Sequence, residues 1–373
     1  MKLDDYRVEF PIIKRMIYLD HASVSPIPRR VWRAIKNFYR ERMLRAELAW
    51  ERWVEAANEV RKLVAKLINA SPEEIALLKN TSEGINVVAC GLKWKKGDSI
   101  VTTDLEFPSN LYPWLKLRER GVNVRIVKHR DDGTINLDDI AQSIDRTTKL
   151  VAISHVQYGN GFRIDLKALR NLTKDKCLLL VDAVQSLGAI PIEAKYADFI
   201  SAGCHKWLLS PFGISIFYVS KDVELENSYV GWASVENPNA FSSIMNLAKS
   251  ARRFEIGCLD FSSVYGLRVS LQILLEVGIS RIEHRLKKLG DIIFEEVDKF
   301  HILTQTPREP SKRAGILNLK FKNNAKIVKK LRKERVIVAE RMNGIRISPH
   351  FYNNEQDICR FLEVLSRIVK DLN

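Results

Sequence analysis

Cysteine is scarce in this 373-residue chain, and long apolar runs are missing. Its five cysteines are an odd number without metal-type or disulfide-type spacing. That excludes a disulfide scaffold, gives no reason to expect a metal, and implies a reducing compartment. No apolar stretch approaches transmembrane length, and Met1-Lys2-Leu3-Asp4-Asp5 has no signal-peptide core. A cytoplasmic protein without a membrane partner is therefore expected. Glutamine is sparse beside Lys, Arg, Glu and Ile, a compositional pattern of thermophiles.

What is present suits a globular enzyme. Hydrophobic residues make up 46% and charged residues 28%. The length allows one large or two ordinary domains around a sizeable core. The net charge of +15 invites a nucleic-acid reading, but the basic residues are spread through helical stretches and no recognition motif accompanies them. Nucleic acid is not expected as a partner. A cavity that attracts a phosphate and a carboxylate would itself favour positive potential.

The stretch Ala202-Gly203-Cys204-His205-Lys206-Trp207 organises the rest. It follows an apolar run that reads as a buried strand and precedes a second one, Ile214 to Ser220. A lysine between two buried strands is unusual. It either snorkels to the surface or, desolvated, loses charge and becomes a nucleophile toward aldehydes. The upstream run Cys177-Leu178-Leu179-Leu180-Val181-Asp182 reads as a parallel strand covered on both faces, with Asp182 at its carboxyl end. Ligands of open α/β sheets bind at that edge. Such an acid and lysine match what pyridoxal phosphate needs: an amine for the aldehyde and a carboxylate for the ring nitrogen.

Asp182-Ala183-Val184-Gln185 and His205-Lys206 resemble the signature of the fold-type I pyridoxal phosphate enzymes. More narrowly the chain resembles the class V aminotransferase family, in its cysteine desulfurase and isopenicillin N epimerase-like branch, from about Tyr18 to the last helix. The resemblance implies an α/β fold. A large domain (16–275) would carry a mostly parallel seven-stranded sheet, and a small α+β domain would combine 1–15 with 276–373. It also implies pyridoxal 5′-phosphate as cofactor, amino acids and 2-oxo acids as substrates, and a homodimer with its site at the subunit interface.

Taken in order, Tyr18-Leu19-Asp20-His21-Ala22 ends a short strand, and its family counterpart lies near substrate. His21 is thus a substrate-binding candidate, with a structural histidine as the alternative. Thr81 and Ser82 follow the strand Ile75–Asn80 and open a helix, where free N–H groups and the dipole suit a phosphate; plain N-capping is the alternative. The motif resembles the family's phosphate loop. Phe107 stands where relatives carry an aromatic ring or a histidine stacked on the cofactor. It can stack but cannot move a proton. Gln157 and Tyr158 follow the strand 149–156 and take the place of a group facing the cofactor's 3-hydroxyl, as Gln185 does after Asp182. His205 resembles a phosphate donor. Gly203 replaces a serine common in relatives, and Cys258 replaces the threonine of Arg-Phe-Glu-x-Gly-Thr, which in relatives reaches the neighbour's phosphate. Arg346 sits on a strand; a structural ion pair is its bland role, and clamping a substrate carboxylate its family role. Further elements are expected as a helix 324–335 and strands 315–322, 336–342 and 344–348.

No cysteine lies between Cys258 and Cys359, where desulfurases of this family carry their nucleophile. With Phe107, this disfavours desulfuration except as cleavage of a free thiol or selenol substrate. The expected reaction is amino transfer catalysed by Lys206 and Asp182. Epimerisation, racemisation or cysteine/selenocysteine lysis is the alternative, and a non-catalytic binding protein on the same fold is the third reading.

Overall fold

A computed structural model describes residues 2–372. The amino-terminal arm is two 3-10 turns, Leu3–Glu9 and Pro11–Lys14, whose Tyr6 and Phe10 are buried. Strand β1 (Ile17–Tyr18) leads to helices α1 (Arg29–Arg45) and α2 (Trp50–Ile68). Trp50 and Trp53 pack against Phe261, at ring-centroid distances of 5.3 and 5.8 Å, and so belong to the chain's own core.

The central sheet has seven strands: β2 (Ile75–Leu78), β3 (Ser99–Thr103), β4 (Asn123–Val127), β5 (Thr148–Ser154), β6 (Leu178–Asp182), β7 (Phe199–Gly203) and β8 (Ser215–Val219). Helices α3 (Thr81–Gly91), α4 (Tyr112–Leu117), α5 (Leu137–Ser143) and α6 (Leu166–Thr173) make crossovers between them. The strand order is β2-β8-β7-β6-β5-β3-β4. Only β8 runs against its neighbours. All other strands therefore end at one edge, the edge where open α/β sheets bind ligands.

Successive residues of these strands face opposite cores, as the period of two requires. On β6, Leu179 and Val181 enter the core that also holds α1, α2 and α7 (Phe261–Val277). Leu180 enters the other core, beneath α3 and α4. Both faces are dry, which explains the near-continuous apolar run before Asp182.

After α7, helix α8 (Ile279–Lys299) leads to a second sheet built from β9 (Leu303–Thr304), β10 (Leu317–Lys320), β12 (Ala339–Arg341) and β13 (Gly344–Ile347), in the order β12-β13-β10-β9 and antiparallel throughout. Helices α9 (Asn324–Lys333) and α10 (Glu355–Lys370) flank it. The stretch 336–342, expected as one strand, is two. Val336–Ile337, β11, pairs in parallel with β1, and the chain then changes sheets at the buried Val338. This pairing lays the segment after β1 along β13, with a bridge between Asp20 and Ser348. Among the described residues no helix is long and apolar enough to cross a membrane, and no group of side chains could hold a metal ion.

Candidate active site

Five strands of the central sheet deliver their carboxyl ends to one cavity of about 420 Å³. Lys206 and His205 enter it after β7, Asp182 at the end of β6, Tyr158 after β5, Phe107 after β3, and Thr81 with Ser82 after β2. A cavity of about 1010 Å³ opens elsewhere, between Arg130, Arg163 and Glu283, and contains none of the candidate residues; chemistry, not size, selects the site.

At one end of the cavity lies the start of α3. Gly84 lets this helix lie close on β7, since a Cβ there would come 2.4 Å from Ser201 Oγ. Thr81 Oγ1 accepts from Gly203 N–H at 2.8 Å, and Ser201 Oγ donates to the Thr81 carbonyl at 3.0 Å. Ser82 Oγ donates to Ser109 Oγ at 2.8 Å. The Asn80 side chain caps the helix by accepting from Glu83 N–H, which leaves the first turn facing the cavity. The His205 ring stacks on Phe212 at 4.7 Å, and its nitrogens bond to nothing among the described residues. Burial, aided by the Lys206 charge, pushes its pKa down to about 4. Helix N–H groups and unspent donors at one end can hold an anion.

In the middle, Asp182 is buried and accepts one hydrogen bond, from Val184 N–H at 2.9 Å. Burial pushes its carboxyl well up, with the Glu106 charge in the same direction and the Val184 N–H and Lys206 opposing. Burial pushes the Lys206 amine down, against the pull of Asp182, and the Arg346 and Arg341 charges add to the drop. Lys206 Nζ lies 5.8 Å from the centre of the Phe107 ring and makes no hydrogen bond among the described residues. Each group lacks a full partner, so a ligand offering a cationic N–H and an electrophilic carbon would relieve both.

At the other end, Arg346 is almost wholly buried on β13. Its Nη2 donates to Asp20 Oδ1 at 3.0 Å and to Ser23 Oγ at 2.5 Å, and Nη1 donates to the Tyr158 carbonyl at 2.9 Å. Its Nε is buried without a partner among the described residues.

Two candidates stand elsewhere. His21 is fully buried behind the cavity, with Nδ1 at 3.1 Å from the Ser348 carbonyl and its ring among Tyr18, Trp207, His350 and Tyr352. Its neighbours Ala22 and Ser23 line the cavity instead. The residue order of a two-residue strand did not reveal which side faced in. Gln157 is also buried off the cavity and donates Nε2 to Glu106 Oε1 at 2.7 Å, while Tyr158 reaches the lining. Gln185 does line it, but accepts from Trp207 Nε1 at 2.8 Å and donates one proton to the Ala22 carbonyl at 3.0 Å, which leaves its second amide proton uncommitted among the described residues.

Sequence reasoning missed Glu106. This buried carboxylate accepts from Thr103 Oγ1, Asn110 Nδ2, Ser154 N and Oγ, and Gln157 Nε2, at 2.6–3.0 Å. It ties the ends of β3 and β5 together beneath the cavity. An acid just past the apolar strand β3 was its only sequence signal. Among the described residues no cysteine lines the cavity: Cys90, Cys258 and Cys359 are exposed, and Cys204 is buried with its thiol pushed up by burial.

The chain is similar to known proteins along nearly its whole length. A family model described as aminotransferase class-V matches residues 17–361. A probable cysteine desulfurase of Methanothermobacter thermautotrophicus is 32% identical, over 99% of this chain and 98% of its own. An uncharacterized aminotransferase of Bacillus subtilis is 31% identical, over 97% of each. The apo structure of cysteine desulfurase from Thermococcus onnurineus NA1 superposes with a TM-score of 0.91 at 28% identity, covering 98% of each chain. The fold is shared at 21% identity with a C-DES mutant carrying glycine linked to its PLP cofactor, with a TM-score of 0.90 over 96% of this chain and 98% of that one.

Proposed function

This chain belongs to the class-V aminotransferase family, and from that premise we propose that it is a pyridoxal 5′-phosphate enzyme moving an amino group from an α-amino acid to a 2-oxo acid. The observation that carries the reading is the meeting of Lys206, Asp182 and Arg346 in one cavity at the carboxyl edge of the sheet, with no cysteine in its lining among the described residues.

The residues fit the cofactor. Asp182, buried with one hydrogen bond, would pair with the ring nitrogen, and Lys206 would bind the aldehyde. Thr81, Ser82, the first turn of α3 and His205 would hold the phosphate, and Phe107 would lie against the ring. Tyr158 and Gln185, which both line the cavity, would face the ring's polar edge. Gln157 would act through Glu106, as a positioning residue, and His21 by shaping the segment that carries Ser23. When bound, the cofactor supplies an electron sink for a carbanion at the substrate α-carbon. Arg346 then orients the α-carboxylate. Lys206 Nζ, whose hold on its proton is weakened by burial, would take the substrate α-proton and keep it for return.

A second reading, cleavage of a sulfur-bearing amino acid, draws on the names of the relatives. The β12–β13 turn weighs against a persulfide held by the protein. It is two residues long, Met342 and Asn343, at φ of 48° and 54°, and carries no thiol. A homodimer is part of the proposal. Exposed apolar side chains on and after α1 (Trp32, Met43, Leu44, Leu48) and at Trp232 and Phe241 offer a surface for a second copy. The large unit would span 16–275 and the small one the two ends of the chain, in keeping with the separate core around β10, β13, α8 and α10.

The experiment is to add a panel of amino acids to cofactor-supplemented protein and assay 2-oxo acid, enantiomer, sulfide and selenide. A 2-oxo acid formed with amination of the cofactor supports transfer. Inversion alone, or chalcogenide release alone, would replace it with the second class of reading.

A further inference from the structure

Arg341 ends β12 and lines the cavity that holds Lys206 and Arg346. It differs from every other cation there. Arg346 has Asp20, and Lys206 feels Asp182, whereas Arg341 is exposed and donates only to the adjacent Glu340 carbonyl, at 2.7 Å. No carboxylate pairs with it among the described residues. Its charge nevertheless bears on both Lys206 and Arg346.

The hairpin that presents Arg341 is fixed. Three side-chain amides hold successive carbonyls of its tip: Asn318 Nδ2 donates to Arg341 at 2.9 Å, Gln305 Nε2 to Met342 at 2.7 Å, and Asn324 Nδ2 to Asn343 at 2.8 Å. The Met342 side chain fills the space over Gly159, where a Cβ would come 1.9 Å from its sulfur. A cation without a counter-ion, on a pinned turn over the substrate end, is a preorganised anion receptor.

We propose that Arg341 is a specificity-determining residue that binds a second carboxylate of the substrate, so that the chain prefers dicarboxylic amino acids and their 2-oxo acids to monocarboxylic ones. The inference rests on the function proposed above. Arg346 would take the α-carboxylate and Arg341 the distal one, with the chain of carbons between them lying past Lys206.

The test compares wild type with Arg341→Ala and Arg341→Lys, all supplemented with cofactor. Steady-state rates are measured with L-glutamate, L-aspartate and L-alanine, and equilibrium binding with glutarate and butyrate. Wild type should favour the dicarboxylic member of each set. In Arg341→Ala the ratio of kcat/KM for glutamate to that for alanine should fall about tenfold or more, mostly through KM, the size of one charge-assisted contact. Glutarate should lose its binding advantage in the same variant, and Arg341→Lys should restore part of both. Equal ratios in wild type and Arg341→Ala, or no wild-type preference, overturn the inference. Activity confined to monocarboxylic acids would do so while leaving the proposed function standing; failure to take up cofactor at Lys206 would remove both.

Discussion

Asp20 and Arg346 are joined beside the cavity by a hydrogen-bonded ion pair of 3.0 Å, between side chains that expose 14% and 2% of their surface. The arginine assigned to the substrate carboxylate is thus already held by a carboxylate of the chain. Its Nη2 protons are both spent, on Asp20 and Ser23. A substrate that takes a two-point grip has to share or displace one of these acceptors, so part of the gain of binding offsets the loss of the internal pair.

Arg346→Lys tests that relationship. Lysine keeps the charge but loses the planar fork. KM for the preferred amino acid should rise about tenfold or more, a loss of about 1.4 kcal/mol, with a smaller change in kcat. Arg346→Ala leaves Asp20 unpaired in a confined site and should also lower stability by about 3–5 kcal/mol. Kinetics and urea unfolding read the two effects separately.

Lys206→Ala removes the only lysine amine that lines the cavity among the described residues. Activity should fall by about 10³-fold or more. Borohydride reduction of the supplemented wild type should leave a mass increase on the peptide containing Lys206, and none in the variant. A labelled variant would place the cofactor on another amine.

Acidification should destabilise the protein between about pH 6.5 and 4. Burial pushes His350 down to about 4 and His155 to about 3, and His21 also lies well below its usual value. The unfolded chain therefore binds protons in this window that the native state refuses, and stability rises with pH there. Each histidine contributes at most about 1.4 kcal/mol per pH unit. Asp182, pushed up, works in the opposite direction by keeping a proton that the unfolded chain has lost. Urea midpoints at pH 7, 6 and 5 should fall in that order, and less steeply in His350→Asn. A flat series would contradict the burial of these rings.

Gly159→Ala should cost about 1–3 kcal/mol, since the new methyl meets the Met342 sulfur at 1.9 Å. Because the obstacle is a flexible side chain, Met342→Ala in the same chain should recover most of the loss. Denaturation of the single and double variants gives the coupling. Additive costs would mean that the two residues do not meet.

The sheet and its chemistry were readable where one physical signal was strong. The two-sided burial of β6 produced an uninterrupted apolar run, so the acid that breaks it, Asp182, stood out. Lys206 stood out for the same reason after β7. Arg346 lay between isoleucines on β13. Reading was poorer where a side chain's direction depended on distant partners. Glu106 looked like one acid among 45 Asp and Glu residues, yet it collects donors from β3 and β5. His21 lies on the far side of a wall whose inner face is its neighbours. Arg341 carries no local mark at all, because its place over the cavity is set by Asn318, Gln305 and Asn324, as far as 36 residues away in the case of Gln305 (341 against 305).

The pinned two-residue turn before Arg346 has a bearing on traffic out of the molecule. A swinging arm that carried cargo from cavity to surface would need slack, and this segment has none. Were the cleavage reading to hold, the freed group could not ride on this tip and would have to reach any acceptor through solution.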